Sequence, residues 1–258
     1  MESINLTTLA LLLCAGFFAG WVDAIVGGGG LVQLPAVLML GGITPVHALA
    51  INKMGSSFGT AASAVTYTRR TTSHVSRSFP TALFAGVASC GGAMVASMIP
   101  AAAFKPIIMV ALLAVLSFTL FKPNVGELHQ PKYSGKKQVL LGLLVGAVIG
   151  FYDGVLGPGT GSFLMIALIT VLGFNFLTAT AHTKVINLCT NLGALLYFGL
   201  AGHLLWRYGL VLGIANMAGG YLGARTAISR GNSFIRWMMV CVVSALIIKL
   251  GIDIWAGC

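Results

Sequence analysis

Residues 16–30 read GFFAGWVDAIVGGGG, and residues 146–161 repeat the same plan as GAVIGFYDGVLGPGTG. Both stretches contain a Gly-x-x-x-Gly pair, one aspartate and a Gly-x-Gly pair in the same order, with the aspartates at positions 23 and 153. An ordered recurrence of this kind indicates an internal duplication. We therefore predict that the chain consists of two copies of one module.

The duplication continues beyond these glycines. ALAINK at residues 48–53 aligns with ATAHTK at residues 179–184, and both strings end in a lysine. These alignments divide the chain into a first membrane repeat at residues 1–121, a cytoplasmic linker at 122–137 and a second membrane repeat at 138–258.

The composition excludes a soluble protein. Of the 258 residues, 57% are hydrophobic and 8% are charged, whereas soluble domains carry about 25% charged residues. Apolar stretches recur along the whole chain, and only helices or closed barrels can cross a hydrocarbon core that is about 30 Å thick. We predict an all-α polytopic membrane protein with roughly eight to ten helices.

Each half contains five apolar segments in the same order. In the first half they cover residues 4–26, 30–42, 47–67, 78–98 and 103–121, and in the second half 138–156, 160–173, 178–201, 206–227 and 234–254. The second segment of each half has about thirteen residues, or ~20 Å as a helix, which is short for a membrane span.

These short segments follow the glycine-rich breaks, and Pro158 removes a backbone donor from the second break. Each break predicts a helical hairpin that either re-enters or crosses twice. Three further spans then give each half an odd number of crossings, so that the second repeat enters the membrane upside down. The predicted architecture is two inverted-topology repeats, which is typical of secondary transporters.

The net charge of +10 arises from basic residues in the polar gaps between the apolar segments. This pattern is typical of cytoplasmic loops rather than of a nucleic-acid-binding surface, so no nucleic-acid partner is predicted. The basic groups assigned to the cytoplasm are Arg69, Arg70 and Arg77, then Lys122, Lys132, Lys136 and Lys137, and finally Arg225, Arg230 and Arg236. This assignment predicts a multi-pass protein of the bacterial inner membrane with both termini in the periplasm.

Lys53 and Lys184 occupy equivalent positions in the third segment of each half. A lysine at the bilayer centre costs about 2.5–3.5 kcal/mol on insertion scales, so it is usually paired or functional, although a lysine near the headgroups can also extend its amine to water. Polar neighbours favour a buried face: Asn52, Thr183, Asn187 and Asn191. The start of a helix favours anions, and the glycine breaks provide two such starts. We therefore predict a site for a small anion formed by these residues together with Gly28, Gly29, Gly30, Gly159, Thr160 and Gly161.

Asp23 and Asp153 are acidic residues within apolar segments, and three roles are open to them. They could relay protons. They could instead stabilise the fold, either by pairing with the two lysines or by accepting hydrogen bonds from the adjacent glycine N–H groups. His182 is a further candidate for proton transfer, since the charge of histidine changes near neutral pH.

Motifs for catalysis and cofactors are absent from the sequence. Residues 55–59 fit the pattern G-x-S-x-G but lack the strand that this motif requires, and residues 157–162 lack the lysine of a P-loop. The five cysteines show no metal-ligand spacing. We predict no enzyme activity, catalytic residue, metal or cofactor.

Gly-x-x-x-Gly pairs allow helices to approach closely. Five such pairs occur, at residues 16–20, 142–146, 146–150, 209–213 and 219–223. They predict either close packing within the monomer or the interface of a homodimer.

Several long strings resemble the sulfite exporter TauE/SafE family of membrane permeases, and its YfcA-like branch in particular. They are FAGWVDAIVGGGGLVQLPAVL, ALAINKMGSSFGT, IGFYDGVLGPGTGSFLM, GFNFLTATAHTKVINLCTNLGAL and GGYLGAR. The resemblance extends over both repeats and implies a bacterial inner-membrane transporter that exports sulfur-containing anions such as sulfite or sulfonates.

Together these observations favour a secondary transporter that exports small anions, and organosulfur compounds in particular, by alternating access. A passive anion channel and a membrane subunit without transport activity are the alternatives. The predicted partners are the small anion and the lipid bilayer.

Overall fold

The computed structural model describes residues 6–40, 42–71, 75–100 and 130–255. The predicted segment 103–121 and the linker residues 122–129 lie outside this part of the chain. All regular structure in the described residues is helical, which confirms the predicted class. The helices are α1 (Leu6–Val26), α2 (Gly29–Leu38), α3 (Pro45–Arg70), α4 (Phe79–Ala96), α5 (Gly135–Val155), α6 (Thr160–Ala167), α7 (Phe176–Leu200) and α8 (Trp206–Trp255).

Three helices depart from simple single spans. A 3₁₀ turn at Val75–Ser78 precedes α4, and α6 continues into a π-helical stretch at Leu168–Leu172. Helix α8 contains a break at Gly231, where φ is 74° and ψ is −165°. The predicted segments 206–227 and 234–254 lie on either side of this glycine, which can adopt a positive φ because it has no Cβ.

The distribution of polar and apolar side chains is that of a membrane protein. Large apolar side chains such as Phe18, Leu83 and Leu144 are exposed, whereas the lysines at positions 53 and 184 are buried. Within the described residues, three helices are long and apolar enough to cross a membrane: α1, α4 and α5. An apolar exterior around a polar centre is the arrangement that lipid favours.

The helices of the two halves pack in equivalent pairs. Helix α1 packs along α8, and its counterpart α5 packs along α4; likewise α3 packs along α8, and α7 packs along α4. The helices that carry the two lysines, α3 and α7, also contact each other. Each half therefore packs mainly against the other half, so that the centre of the molecule is built from both.

Glycines bring these helices close together within the chain. A Cβ at Gly16 would lie 2.7 Å from the carbonyl oxygen of Leu212, and one at Gly150 would lie 2.5 Å from that of Ala85. The glycines of all five Gly-x-x-x-Gly pairs face other parts of the same chain in this way. Packing within the monomer therefore accounts for these motifs, and the predicted homodimer receives no support from them.

Candidate functional site

The two glycine breaks meet at the centre of the molecule. Gly27 adopts φ 76° at the end of α1, and its backbone contacts that of Gly161 in the first turn of α6. The hydroxyl of Ser162 donates a hydrogen bond to the carbonyl oxygen of Val26 at 2.6 Å. This contact places the starts of α2 and α6 side by side, next to the lysine-bearing helices α3 and α7.

Two buried ion pairs connect the halves crosswise. Lys53 Nζ lies 2.7 Å from Asp153 Oδ1, and Lys184 Nζ lies 3.0 Å from Asp23 Oδ2. Each lysine thus pairs with the aspartate of the other half. A buried charge without a partner is strongly destabilising, so these pairs explain how both lysines are accommodated inside the protein.

The Lys184–Asp23 pair has further hydrogen bonds. Nζ of Lys184 also donates to the backbone carbonyl oxygen of Asp23, and the backbone N–H of Gly29 donates to Asp23 Oδ1 at 3.4 Å. Both carboxylate oxygens of Asp23 therefore have donors. This arrangement combines the two stabilising roles that the sequence left open for Asp23.

The Lys53–Asp153 pair has fewer partners. Asp153 Oδ2 is buried and has no hydrogen-bond partner among the described residues, and the same holds for the side-chain oxygen Oδ1 of Asn52 nearby. The cavity beside this pair contains both residues. Unsatisfied polar atoms are rare in protein interiors, and here two of them occur at one cavity.

The cavity lies where α1, α2, α3, α5, α6 and α7 converge. It is lined by Asp23, Gly27, Gly30, Asn52, Lys53, Ser56, Asp153, Gly157, Thr160, Gly161, Asn187 and Asn191. Its volume is about 10 Å³, which is close to the minimum for one water molecule. The cavity is therefore too small for an anion in this conformation.

A network of amides and hydroxyls surrounds the cavity. Asn191 Nδ2 donates to Thr60 Oγ1 at 3.2 Å and thereby joins α7 to α3. Gln33 Nε2 donates to the carbonyl oxygen of Asn52 at 3.0 Å, and Asn216 Nδ2 donates to Gln33 Oε1 at 2.5 Å. These bonds fix the side of α3 that carries Lys53.

The structure brings nine of the predicted site residues to the cavity wall and leaves six outside it. Those in the wall are Gly30, Asn52, Lys53, Thr160, Gly161, Asn187 and Asn191, with Asp23 and Asp153. Gly28, Gly29, Gly159, Thr183, Lys184 and His182 do not line it. Lys184 nevertheless contacts the wall through Asp23, whereas Nδ1 of His182 lies 2.5 Å from the hydroxyl of Ser78 and its ring packs against Phe174.

Three residues around the cavity were missed by the sequence analysis. Ser56 lines it together with Gly27 and Gly157 of the glycine breaks, while Gln33 and Asn216 belong to the surrounding network. A signal for Ser56 was available, because it follows Lys53 by three residues as Asn187 follows Lys184. No cluster of three or more potential metal ligands occurs in the described ranges.

Comparison with known proteins identifies the family of the chain. The model of the family described as sulfite exporter TauE/SafE matches residues 12–250. A probable membrane transporter protein, ORF9, from Sinorhizobium sp. is 37% identical over 263 residues and covers 100% of both chains. A probable membrane transporter protein from Haemophilus influenzae is 35% identical and covers 97% of both chains. The probable membrane transporter protein YfcA of Escherichia coli K12 is 34% identical and covers 95% of this chain and 90% of its own. No solved structure matches the chain significantly.

Proposed function

Because the chain belongs to the sulfite exporter TauE/SafE family, we propose that it is a secondary transporter of small anions in the bacterial inner membrane. The substrates that we propose are organosulfur anions such as sulfite and sulfonates, and the direction is outward. The family relationship supports a multi-pass membrane transporter, and the residues of the central cavity support an anion as its substrate.

The observation that carries the proposal is the Lys53 ammonium, which is 1% exposed and lies in the wall of a cavity beside two helix starts. Helix starts favour negative charge. The amide side chains of Asn52, Asn187 and Asn191 can donate hydrogen bonds to the oxygens of a small oxyanion. A cationic group with several amide donors is a suitable environment for a sulfonate or a sulfite.

Alternating access explains how such a small cavity could serve transport. The cavity has room for about one water molecule, so an anion can enter only after the helices around it move. In our proposal the two repeats have inverted topology, both termini are periplasmic, and one repeat rocks against the other around the cavity. The basic residues of the linker, at the end of α3 and around the break at Gly231 in α8 support this orientation.

Counterflow in proteoliposomes tests the transport function. Liposomes loaded with unlabelled methanesulfonate should transiently accumulate labelled methanesulfonate from outside through the wild-type protein. A carrier shows this exchange because its site is loaded on one side at a time. Conductance that rises linearly with voltage, without counterflow, would contradict a carrier and indicate a channel.

The substitution Lys53→Gln should reduce counterflow about 10- to 100-fold, since a hydrogen bond to a charged group contributes about 1.5–3 kcal/mol. The double variant Lys53→Gln/Asp153→Asn removes the ammonium without leaving Asp153 charged, and it should show the same loss while remaining folded. Lys136→Gln is a matched control, because Lys136 is exposed. Normal counterflow by the folded double variant would contradict the proposed role of Lys53.

Ligand-dependent thermal stability should identify the substrate class. A ligand that binds only the folded state stabilises it by about 2.7 kcal/mol at a concentration of 100 Kd. We expect sulfite or a sulfonate to raise the melting temperature of the purified protein, with acetate as the matched carboxylate. A rise with acetate alone would contradict an organosulfur substrate.

A further inference from the structure

The two buried ion pairs are equivalent in sequence but differ in their hydrogen bonds. Lys184 Nζ has two acceptors, both on Asp23, and the carboxylate of Asp23 has a second donor in the N–H of Gly29. Lys53 contacts one oxygen of Asp153, and Oδ2 of Asp153 has no hydrogen-bond partner in the part of the chain that the structure describes. The Lys184–Asp23 pair is thus held by three hydrogen bonds, whereas the Lys53–Asp153 pair is held by one contact.

The positions at which α2 and α6 begin explain this difference. Helix α2 begins at Gly29, so the N–H of that glycine reaches Asp23. The aligned residue Gly159 has φ 82° and precedes α6, which begins at Thr160. The N–H and hydroxyl of Thr160 both donate to the carbonyl oxygen of Gly157. The second half therefore lacks the donor that would satisfy Asp153.

The charges at the cavity sum to zero. Lys53 and Lys184 contribute two positive charges, and Asp23 and Asp153 contribute two negative charges. Among the helices that pack against α5, α4 and α6 carry no charged residue, and their one titratable group is the thiol of Cys90. Helix α7 carries Lys184, the thiol of Cys189 and His182, whose ring lies against Ser78 and Phe174. The neighbouring Tyr152 donates its hydroxyl proton to the carbonyl oxygen of Pro158.

A neutral site cannot simply accept an anion. An anion that enters with all four groups charged leaves one uncompensated negative charge in the interior, and such a charge costs several kcal/mol. It must also compete with Asp153 for the single ammonium that faces the cavity. Both problems disappear if Asp153 is neutral when the anion is bound.

We infer that Lys53–Asp153 is an exchangeable ion pair and that the site binds one proton with each monovalent anion. A proton from the solution on the open side adds to Asp153 Oδ2, which forms an O–H bond and neutralises the carboxylate. Lys53 keeps its three protons and exchanges Asp153 for the anion. The net charge of the site is zero before and after, and release of the anion and the proton restores the ion pair.

This inference rests on the proposed transport function and narrows its substrate class. Monovalent oxyanions such as sulfonates or hydrogen sulfite leave the loaded site neutral, whereas a divalent anion such as sulfate leaves it at −1. The Lys184–Asp23 pair stays intact throughout, because its oxygens are already bound to Lys184 and to the N–H of Gly29.

The test uses the full-length protein in proteoliposomes with labelled methanesulfonate, which is monovalent over the whole working pH range. At zero membrane potential, a gradient of one pH unit, acid outside, should drive about tenfold accumulation of the anion inside the liposomes. The reason is that coupling of one proton to each anion makes the anion gradient equal to the proton gradient at equilibrium. A pH-sensitive dye inside the liposomes should record one proton per anion taken up. An imposed potential without a pH gradient should drive no accumulation.

The variant Asp153→Asn has a permanently neutral side chain at this position. Its counterflow should become independent of pH, whereas that of the wild type should fall as the pH rises, and accumulation driven by the pH gradient should be lost. The matched control Lys136→Gln changes an exposed residue, and it should keep the pH dependence of the wild type and a ratio of one proton per anion. If Asp153→Asn does not fold, the dye measurement on the wild type decides the question.

The outcomes separate the two proposals. Counterflow without proton uptake, accumulation driven by potential alone, or pH-driven accumulation by a folded Asp153→Asn variant would each overturn the coupling while leaving anion transport intact. Absence of counterflow for methanesulfonate, sulfite and sulfate would overturn the transport function and the coupling with it.

Discussion

Replacing Lys184 with glutamine should lower the stability of the folded protein by about 3–5 kcal/mol, which is the usual cost of breaking a buried ion pair from one side. The substitution leaves the carboxylate of Asp23 charged and removes the two hydrogen bonds that Lys184 Nζ makes to this residue. At about 2–4 °C per kcal/mol for a chain of this size, the melting temperature in detergent should fall by roughly 10 °C.

The double variant Lys184→Gln/Asp23→Asn should recover most of this loss. It replaces two charges with two amides, so no unpaired charge remains buried, and the N–H of Gly29 can still donate to the side-chain oxygen at position 23. The recovery measures the coupling between the two residues directly. Lys136→Gln is again the matched control and should have the same melting temperature as the wild type. Equal melting temperatures for Lys184→Gln and this control would contradict a stabilising role for the pair.

Much of the fold follows from the sequence because the duplication and the apolar pattern are strong signals. The glycine breaks at residues 27–30 and 157–161 predicted the starts of α2 and α6 to within one or two residues. The separate segments 206–227 and 234–254 also predicted a break between them, and the structure places it at Gly231. The inverted orientation of the repeats stays a prediction.

The site was harder to predict than the fold, because its members meet only through tertiary packing. Alignment showed that each half has one lysine and one aspartate, but not that each lysine pairs with the aspartate of the other half. His182 is close to Lys184 in sequence, yet residues two positions apart on a helix do not share a face, and His182 instead contacts Ser78. Gln33 and Asn216 were single polar residues in apolar segments, and nothing in the sequence indicates that they bind each other.

The difference between the two ion pairs could not be read from the sequence at all. It depends on whether the N–H of the sixth residue after each aspartate points back at the carboxylate, and this changes when the helix begins one residue later. The motifs GGGG and GPGTG are both glycine-rich, but their local backbone geometry differs. Such a small change in register is beyond what residue patterns can specify.

Substituting Gly161 with alanine should prevent the two glycine breaks from meeting. A Cβ at position 161 would overlap the backbone of Gly27, and backbone atoms cannot move aside as the end of a flexible side chain can. Overpacking of a core costs about 1–3 kcal/mol and occasionally more, and we expect the upper part of this range. The melting temperature should fall by roughly 5–10 °C, and counterflow should be lost.

Gly91→Ala is the matched control for this substitution. Gly91 and Gly161 both lie within helices, at α4 and α6, so alanine improves helix propensity at both by up to ~1 kcal/mol. A Cβ at Gly91 meets no atom within 4 Å, and this variant should melt at or slightly above the wild-type temperature. The difference between the two variants therefore isolates the contact with Gly27. Because that contact holds the start of α6 beside the cavity, transport by Gly161→Ala should be lost even in the fraction that remains folded. Equal melting temperatures and equal counterflow for the two variants would show that the breaks need not touch.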